Sequence, residues 1–355
     1  MNLSFYRDKK VLITGHTGFK GAWMSMLLLE LGAKVYGYAL NPPTNPSLFE
    51  LLELDKRMTS YIGDIRDLKY LQKVFDEVCP EIVIHMAAQP LVRDSYKMPV
   101  YTYETNVMGT VNVLECVRNS ESVKSVVNVT TDKVYKNIEQ NIGYVESDEL
   151  NGYDPYSNSK SCSELVTSSY INSFLKEKNV AVSTVRAGNV IGGGDFANDR
   201  IIPDCIKAAL NKEDIIIRNP YSVRPFQHVI EPVTAYLLIA MEQLSDKSKC
   251  GSYNIGPNDE DCYETGKLTD LFCDTWEKLC GASVKWVNKH DGGPHEAGFL
   301  KLNCSKAKEV FGWEPKWNMK TNMEKIVEFT KVYAEGGDIA GEVNRQIREY
   351  LTLCS

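Results

Sequence analysis

The chain has 355 residues, 43% hydrophobic and 25% charged, with 24 Gly and 14 Pro, an ordinary globular composition that excludes collagenous or low-complexity character. Lys plus Arg number 40 against 47 Asp plus Glu, a formal charge of −7. A general attraction to nucleic acid or anionic lipid is therefore excluded, and any phosphate must be bound locally. No run approaches the roughly 18 apolar residues that span a bilayer. Residues 1–8 carry no apolar leader core, so the sequence reads as cytoplasmic.

Short β-branched runs at 11–13, 34–38, 82–85, 125–129 and 181–185 alternate with stretches whose apolar residues recur every three or four positions, such as Tyr103, Val107, Val111, Leu114 and Val117. Charge-poor runs of this kind are strands buried on both faces, and their alternation with helices predicts right-handed βαβ units in a doubly wound parallel sheet of the Rossmann type, an α/β fold. Beyond Gly188 the pattern loosens, with helices expected at 201–211, 231–245, 265–279 and 321–332. The expected division is a dinucleotide-binding domain at 1–187. A smaller mixed α/β lobe at 188–355 covers a substrate, with some of its segments returning to the first domain.

The first chemical signal is Thr14-Gly15-His16-Thr17-Gly18-Phe19-Lys20-Gly21, directly after the first strand and opening the first helix. Glycines there let the backbone approach a pyrophosphate, whose charge meets the free N–H groups of the helix start. His16 stands where a small residue fits more easily, and it either donates to the pyrophosphate or crowds the cofactor. After the second strand, Tyr38-Ala39-Leu40-Asn41 offers neither an acid nor an Arg for the ribose, which leaves NAD against NADP undecided. Together with His16, this predicts loosely held cofactor. In Gly63-Asp64-Ile65-Arg66-Asp67, Asp64 is placed against the adenine amino group and Asp67 caps the following helix.

The central signal is Tyr156-Ser157-Asn158-Ser159-Lys160, preceded by Asp154 and Pro155 as N-cap and first helical residue. Tyr156 and Lys160 then share one helical face, either as an exposed surface or as a tyrosine made acidic by a neighbouring ammonium. Bringing a phenol from ~10 to ~7 needs roughly 4 kcal/mol, within reach of two close cations in a partly dry site. The ten cysteines are dispersed without a Cys-x-x-Cys pair, as expected of reduced thiols. His290-Asp291-Gly292-Gly293-Pro294-His295 is read as a loop rather than a metal site, because Gly-Gly-Pro forbids a helix joining the two imidazoles.

The glycine loop, the strand end His85-Met86-Ala87-Ala88-Gln89, Asn106 in Thr105-Asn106-Val107-Met108-Gly109-Thr110, and the Tyr156/Lys160 pair together resemble the extended short-chain dehydrogenase/reductase superfamily over nearly the whole chain. More narrowly, 15–21 (GHTGFKG), 85–93 (HMAAQPLVR), 154–160 (DPYSNSK), 186–195 (RAGNVIGGGD) and 224–232 (RPFQHVIEP) resemble the CDP-glucose 4,6-dehydratase family. The resemblance implies NAD held by Gly15, His16, Thr17, Gly18, Phe19, Gly21, Asp64, Ile65, Ala87, Ala88, Asn106, Tyr156 and Lys160. It implies CDP-glucose as substrate, contacted by Gln89, Asn189, Arg218 and Arg224, and a homodimer formed through the helices near 96–118 and 156–174.

The implied chemistry is a redox-neutral elimination. Tyr156 takes the 4-hydroxyl proton, Thr131 hydrogen-bonds the 4-oxygen, Asp132 protonates the departing 6-hydroxyl, and Lys160 holds the nicotinamide ribose and lowers the Tyr156 pKa. Relatives carry Thr-Asp-Glu where this chain has Thr131-Asp132-Lys133, which makes Lys133 the implied base at C5, against the plainer reading of a Lys that binds ribose or organises Asp132. At an ordinary Lys pKa of ~10.4 only about one amine in 2,500 is neutral at pH 7, a handicap of roughly 4.6 kcal/mol. Arg224 resembles the family's pyrophosphate arginine. Arg218 is either a second one or a surface ion pair, and Asn189 either meets the diphosphate or stabilises its turn. Phe226 stands where Trp is frequent. His228 replaces a frequent Asp and is read as structural. A nucleotide-sugar epimerase or reductase would not need Asp132 and Lys133, and a non-catalytic NAD-sensing protein would not need Tyr156 and Lys160.

Overall fold

The computed structural model describes residues 3–289 and 298–354, so the loop bearing His290 and His295 lies outside the described residues. The five predicted strands appear as β1 (Lys10–Thr14), β2 (Lys34–Ala39), β4 (Ile82–His85), β5 (Ser125–Val129) and β6 (Ala181–Ala187), joined by β3 (Thr59–Ile62). The sheet runs β3-β2-β1-β4-β5-β6 and ends on a seventh strand, Ser252–Ile255, beside β6. Every pairing is parallel. Every residue of β4, β5 and β6 is buried, as an all-parallel sheet with helices on both faces requires. Strand order reverses between β1 and β4, and the crevice outside the strand ends at such a switch point is where ligands of open α/β sheets bind.

The helices of the second half match the expected positions at Ile201–Asn211, Ile230–Ser245, Thr265–Cys280 and Met319–Ala334. Ile230–Ser245 is buried along most of its length and lies on the sheet. There the Gln243 amide donates to Ser125 Oγ at 2.7 Å and to the Val126 carbonyl at 3.1 Å. The C-terminal helix Ile339–Leu353 docks beside Phe19–Glu30, with Arg348 bridging to Glu30 at 2.7 Å. A separate apolar cluster around Ile202, Phe226, Leu268, Phe272 and Ile326 carries three two-stranded pairs. These are Val190–Ile191 with Gln227–His228, Val223–Arg224 with Tyr263–Glu264, and Ile215–Ile217 with Trp286–Asn288.

All ten cysteines are free thiols. Among the described residues no group of His, Cys, Asp and Glu could hold a metal ion, and no helix is long and apolar enough to cross a membrane.

Candidate active site

The crevice at the switch point begins with the loop after β1. Gly15 sits at φ +82°, and a Cβ there would lie 2.8 Å from the Ala87 backbone nitrogen, so only glycine lets the loop rest on the end of β4. A Cβ on Gly21 would lie 2.2 Å from the Gly15 carbonyl. Gly18 differs, because a Cβ there would meet only Gly15 O, at an ordinary 3.5 Å. It is the N-cap of Phe19–Glu30, and no side chain caps that helix start. The first turn therefore presents unfilled N–H donors under open space, a cradle that fits a pyrophosphate. Thr14 fastens it from below: its hydroxyl accepts from Met86 N (3.1 Å) and Ala87 N (3.2 Å) and meets His85 Nδ1 at 2.7 Å. His85 is engaged on its other ring nitrogen by Thr110 at 3.1 Å. Burial pushes its imidazole down to about 3.

Three expected cofactor or substrate contacts point elsewhere. The His16 ring is fully buried, 2.7 Å from Ser60 Oγ and edge-on to Phe49. A Cβ on Gly37 would fall 2.2 Å from it. The ring thus occupies a niche under β2 and neither meets nor crowds the cradle, and burial lowers its pKa to about 4. The Asn106 side chain accepts from Gln89 N (2.8 Å) and donates to Gln89 O (3.1 Å) and Ser159 Oγ (2.9 Å). It therefore ties the β4 end to the helix Pro155–Tyr170 instead of facing a ligand. The Gln89 amide is occupied by Thr102 (2.9 Å) and the Leu91 backbone. Buried polar groups satisfy themselves first, and each of these found protein partners closer than the crevice.

Asp64 lies at the crevice rim, bound by Arg66 at 2.7 Å, which holds its carboxyl below the usual range. It lines a cavity of about 400 Å³ with Arg66, Asp67, Glu104 and Met108. Ile65 is buried next to it and packs under Gly109. Asp67 caps the helix Leu68–Val78 by accepting from Tyr70 N at 3.0 Å, as the sequence predicts. Thr17 donates to Leu40 O (2.9 Å). Phe19, Ala87 and Ala88 are half-buried around the cradle.

Beyond β5 the backbone makes a short 3-10 turn, Asp132–Val134, where the side chains expected to react come together. The Tyr156 phenol lies beside the Thr131 hydroxyl, which favours its ionised form. Thr131 Oγ1 donates to Asp132 Oδ1 (3.0 Å), and Lys133 Nζ donates to the same oxygen (2.9 Å) and to Asn189 Oδ1 (3.2 Å). Four side chains, Thr131, Asp132, Lys133 and Asn189, thus form one hydrogen-bonded chain. Asp132 is fully buried, and its Oδ2 has no partner. Asn189 joins the chain through its carbonyl, so the half of the amide expected to serve the diphosphate is its NH₂ alone.

Asp154 and Pro155 start the helix Pro155–Tyr170 as predicted, with Asp154 accepting from Ser157 N at 3.0 Å. Tyr156 and Lys160 then share a face, but the Lys160 ammonium donates to the Val129 carbonyl at 3.1 Å rather than to the phenol. Burial raises Tyr156 to about 12, with the Thr131 hydroxyl pulling the other way. The expected acidification by Lys160 is therefore not supplied by the protein alone. Burial lowers the Lys160 amine to about 8, opposed by Glu164.

Lys20 was not anticipated. Its ammonium lies over the Tyr236 ring at 5.7 Å. Burial lowers it to about 7, with like charges on Lys160, Arg200 and Lys133 adding to the effect and Asp132 opposing it. The only cue in the sequence is a charge inside a glycine loop. Of the expected diphosphate arginines, Arg224 is buried, with Nη1 on its neighbour's carbonyl at 2.9 Å. Arg218 pairs with Asp199 at 2.5 Å, the surface ion pair that the sequence left open.

The sequence model of the GDP-mannose 4,6 dehydratase family matches residues 12–326. A CDP-glucose 4,6-dehydratase from Salmonella typhimurium is 48% identical over 98% of this chain and 98% of its own length. Among solved structures, the NAD complex of dTDP-glucose 4,6-dehydratase from Bacillus anthracis superposes with a TM-score of 0.75 at 22% identity, covering 94% of this chain and 99% of that one. UDP-glucose 4-epimerase from Thermotoga maritima with UDP-glucose superposes at 0.77 and 23% identity, covering 91% and 99%.

Proposed function

We propose, because the chain belongs to the GDP-mannose 4,6 dehydratase family, that it is an NAD-dependent hydro-lyase converting CDP-glucose to CDP-4-keto-6-deoxyglucose. One observation carries this reading beyond the shared fold: the hydrogen-bonded chain Thr131, Asp132, Lys133, Asn189, set beside the Tyr156 phenol. It sets an acid and a base beside the tyrosine, and neither epimerisation nor simple reduction at C4 has a use for them.

The cradle of Gly15, Gly18 and Gly21 would hold NAD, which would supply the acceptor for the C4 hydride and its source for C6, with Lys133 giving its proton back to C5. Tyr156 takes the 4-hydroxyl proton, with Thr131 hydrogen-bonded to the same oxygen. The resulting ketone makes the C5 proton acidic, and Lys133 removes it while Asp132 protonates the 6-hydroxyl, which leaves as water. The ion pair between Lys133 and Asp132 already holds the one proton this step needs. Moving it from amine to carboxylate yields a neutral base and a neutral acid without loss to solvent. The unpartnered Asp132 Oδ2 is the atom free to serve the leaving hydroxyl.

Arg224 and the Asn189 NH₂ are the groups we assign to the diphosphate, while Asp64 and Ile65 border the adenosine end. Segments 230–245 and 252–255 count with residues 1–187 as the cofactor domain, and the remainder of 188–355 as the substrate lobe. The exposed apolar residues Val100 (70%), Leu165 (58%), Met98 and Phe174 support a homodimer paired through the helices near 96–118 and 156–174. Cytoplasmic deoxysugar synthesis for a surface polysaccharide is the setting this chemistry fits.

The test is to incubate the purified protein with NAD⁺ and, separately, CDP-, dTDP-, UDP- and GDP-hexoses. The expected result is loss of one water from CDP-glucose without accumulating NADH; mass-neutral conversion would make the protein an epimerase. The cradle makes a separate prediction. Gly18→Ala should leave the melting temperature within a degree or two of wild type while weakening NAD⁺ binding about tenfold or more, because the added methyl meets ligand rather than protein. Gly21→Ala should destabilise the fold by about 2 kcal/mol or more. Calorimetry and NAD⁺ titration of the two variants separate these effects.

A further inference from the structure

We propose that the buried ion pair between Glu164 and Arg186 is a positioning device for the elimination, clamping both ends of the segment that carries Thr131, Asp132 and Lys133. The proposal rests on the function assigned above.

Glu164 lies one helical turn beyond Lys160. It is 4% exposed and Arg186 is 2% exposed. Each carboxylate oxygen accepts one hydroxyl and one guanidinium nitrogen. Oε1 takes Thr130 Oγ1 at 2.5 Å and Arg186 Nε at 2.9 Å, and Oε2 takes Thr184 Oγ1 at 2.6 Å and Arg186 Nη2 at 3.0 Å. The remaining arm of Arg186 donates to Tyr135 OH at 2.8 Å and to the Glu146 carbonyl at 3.0 Å. Tyr135 in turn donates to Asn254 at 2.6 Å and stacks on Tyr144.

Thr130 immediately precedes the reactive turn and Tyr135 immediately follows it, so one ion pair grips the turn on each side. Such a pair is a poor way to gain stability, because desolvating two charges offsets their attraction, and hydrophobic replacements are often as stable. What a fully satisfied bidentate pair does supply is fixed geometry. The reacting groups need that fixed geometry, since misplacement by about 1 Å can cost about a hundredfold in rate.

The pair also acts on charge. Lys160 is faced by Lys20 from Phe19–Glu30, by His85 from β4, and by Tyr156 and Glu164 on its own helix. Of these, only Glu164 is an anion that favours the Lys160 ammonium. Lys160 is active as a cation, so activity is present at low pH and is lost as pH rises through the Lys160 pKa. Removing the Glu164 charge lowers that pKa and moves the alkaline limb of the kcat profile to lower pH.

Glu164→Gln and Thr130→Val test the proposal on whichever nucleotide sugar the wild type dehydrates, so an error in the assigned substrate does not obscure the result. Glu164→Gln should lower kcat about tenfold to a hundredfold, with KM within about twofold, and should shift the alkaline limb downward. Thr130→Val cuts only one arm and leaves the charges in place; it should lower kcat about tenfold with the limb unmoved. If Glu164→Gln does not fold, Thr130→Val decides alone. Wild-type kcat and an unmoved limb, accompanied only by a lower melting temperature, would overturn the proposal and leave the pair a structural tie.

Discussion

Tyr156→Phe is expected to lower kcat on CDP-glucose about 1,000-fold, with KM changed by less than about threefold. The ring is retained, so the pocket keeps its shape, and only the oxygen to which we assign the 4-hydroxyl proton is lost. The size of the effect follows from how the protein treats that phenol. Burial holds it at about 12, roughly 7 kcal/mol away from a free tyrosinate at pH 7. The protein alone therefore does not supply a resident phenolate, and a nicotinamide cation bound beside the ring would be the group that favours loss of its proton. Stopped-flow absorbance of reduced nicotinamide isolates the oxidation. A loss of tenfold or less would show that another group, such as the Lys20 amine, accepts the proton.

Lys133→Met should separate the two halves of the reaction. The substitution keeps length and apolar bulk but removes the amine from its contacts with Asp132 and Asn189. Oxidation at C4 should persist, so reduced cofactor accumulates with the 4-keto sugar. Overall turnover should fall about 100- to 10,000-fold, and deuterium from solvent should no longer enter at C5. Asp132→Asn should slow water loss and, because the carboxylate that takes the Lys133 proton is gone, slow exchange at C5 as well. Exchange unchanged in Lys133→Met would remove the base role and leave Lys133 as the group that orients Asp132.

The sequence was most informative where one backbone requirement admits few residues. The strand of β-branched residues, the Gly15 to Gly21 loop and the Asp154-Pro155 helix start each have few alternative readings, and they appear where expected. Side chains with several possible partners were less legible. Gln89, Asn106 and the Lys160 ammonium all have polar ends that a ligand or the protein can satisfy, and nothing local to them shows that Thr102, Ser159 or the Val129 carbonyl lies within reach. The Glu164–Arg186 pair was invisible for a related reason. It joins a helix to a strand across the sheet, and neither residue belongs to a spacing pattern. The seventh strand, Ser252–Ile255, was missed because a four-residue run inside a mixed segment carries too short a period to register.

The His16 niche bears on engineering. Because the imidazole fills the space where a side chain on residue 37 would stand and leans on the Ser60 hydroxyl, the glycine loop is not a portable cassette. Grafting these seven residues onto a relative imports a ring that needs a bare position on the second strand and a small hydroxyl on the third. Positions 16, 37 and 60 therefore change together or not at all, and sequence drift at any one of them is constrained by the other two.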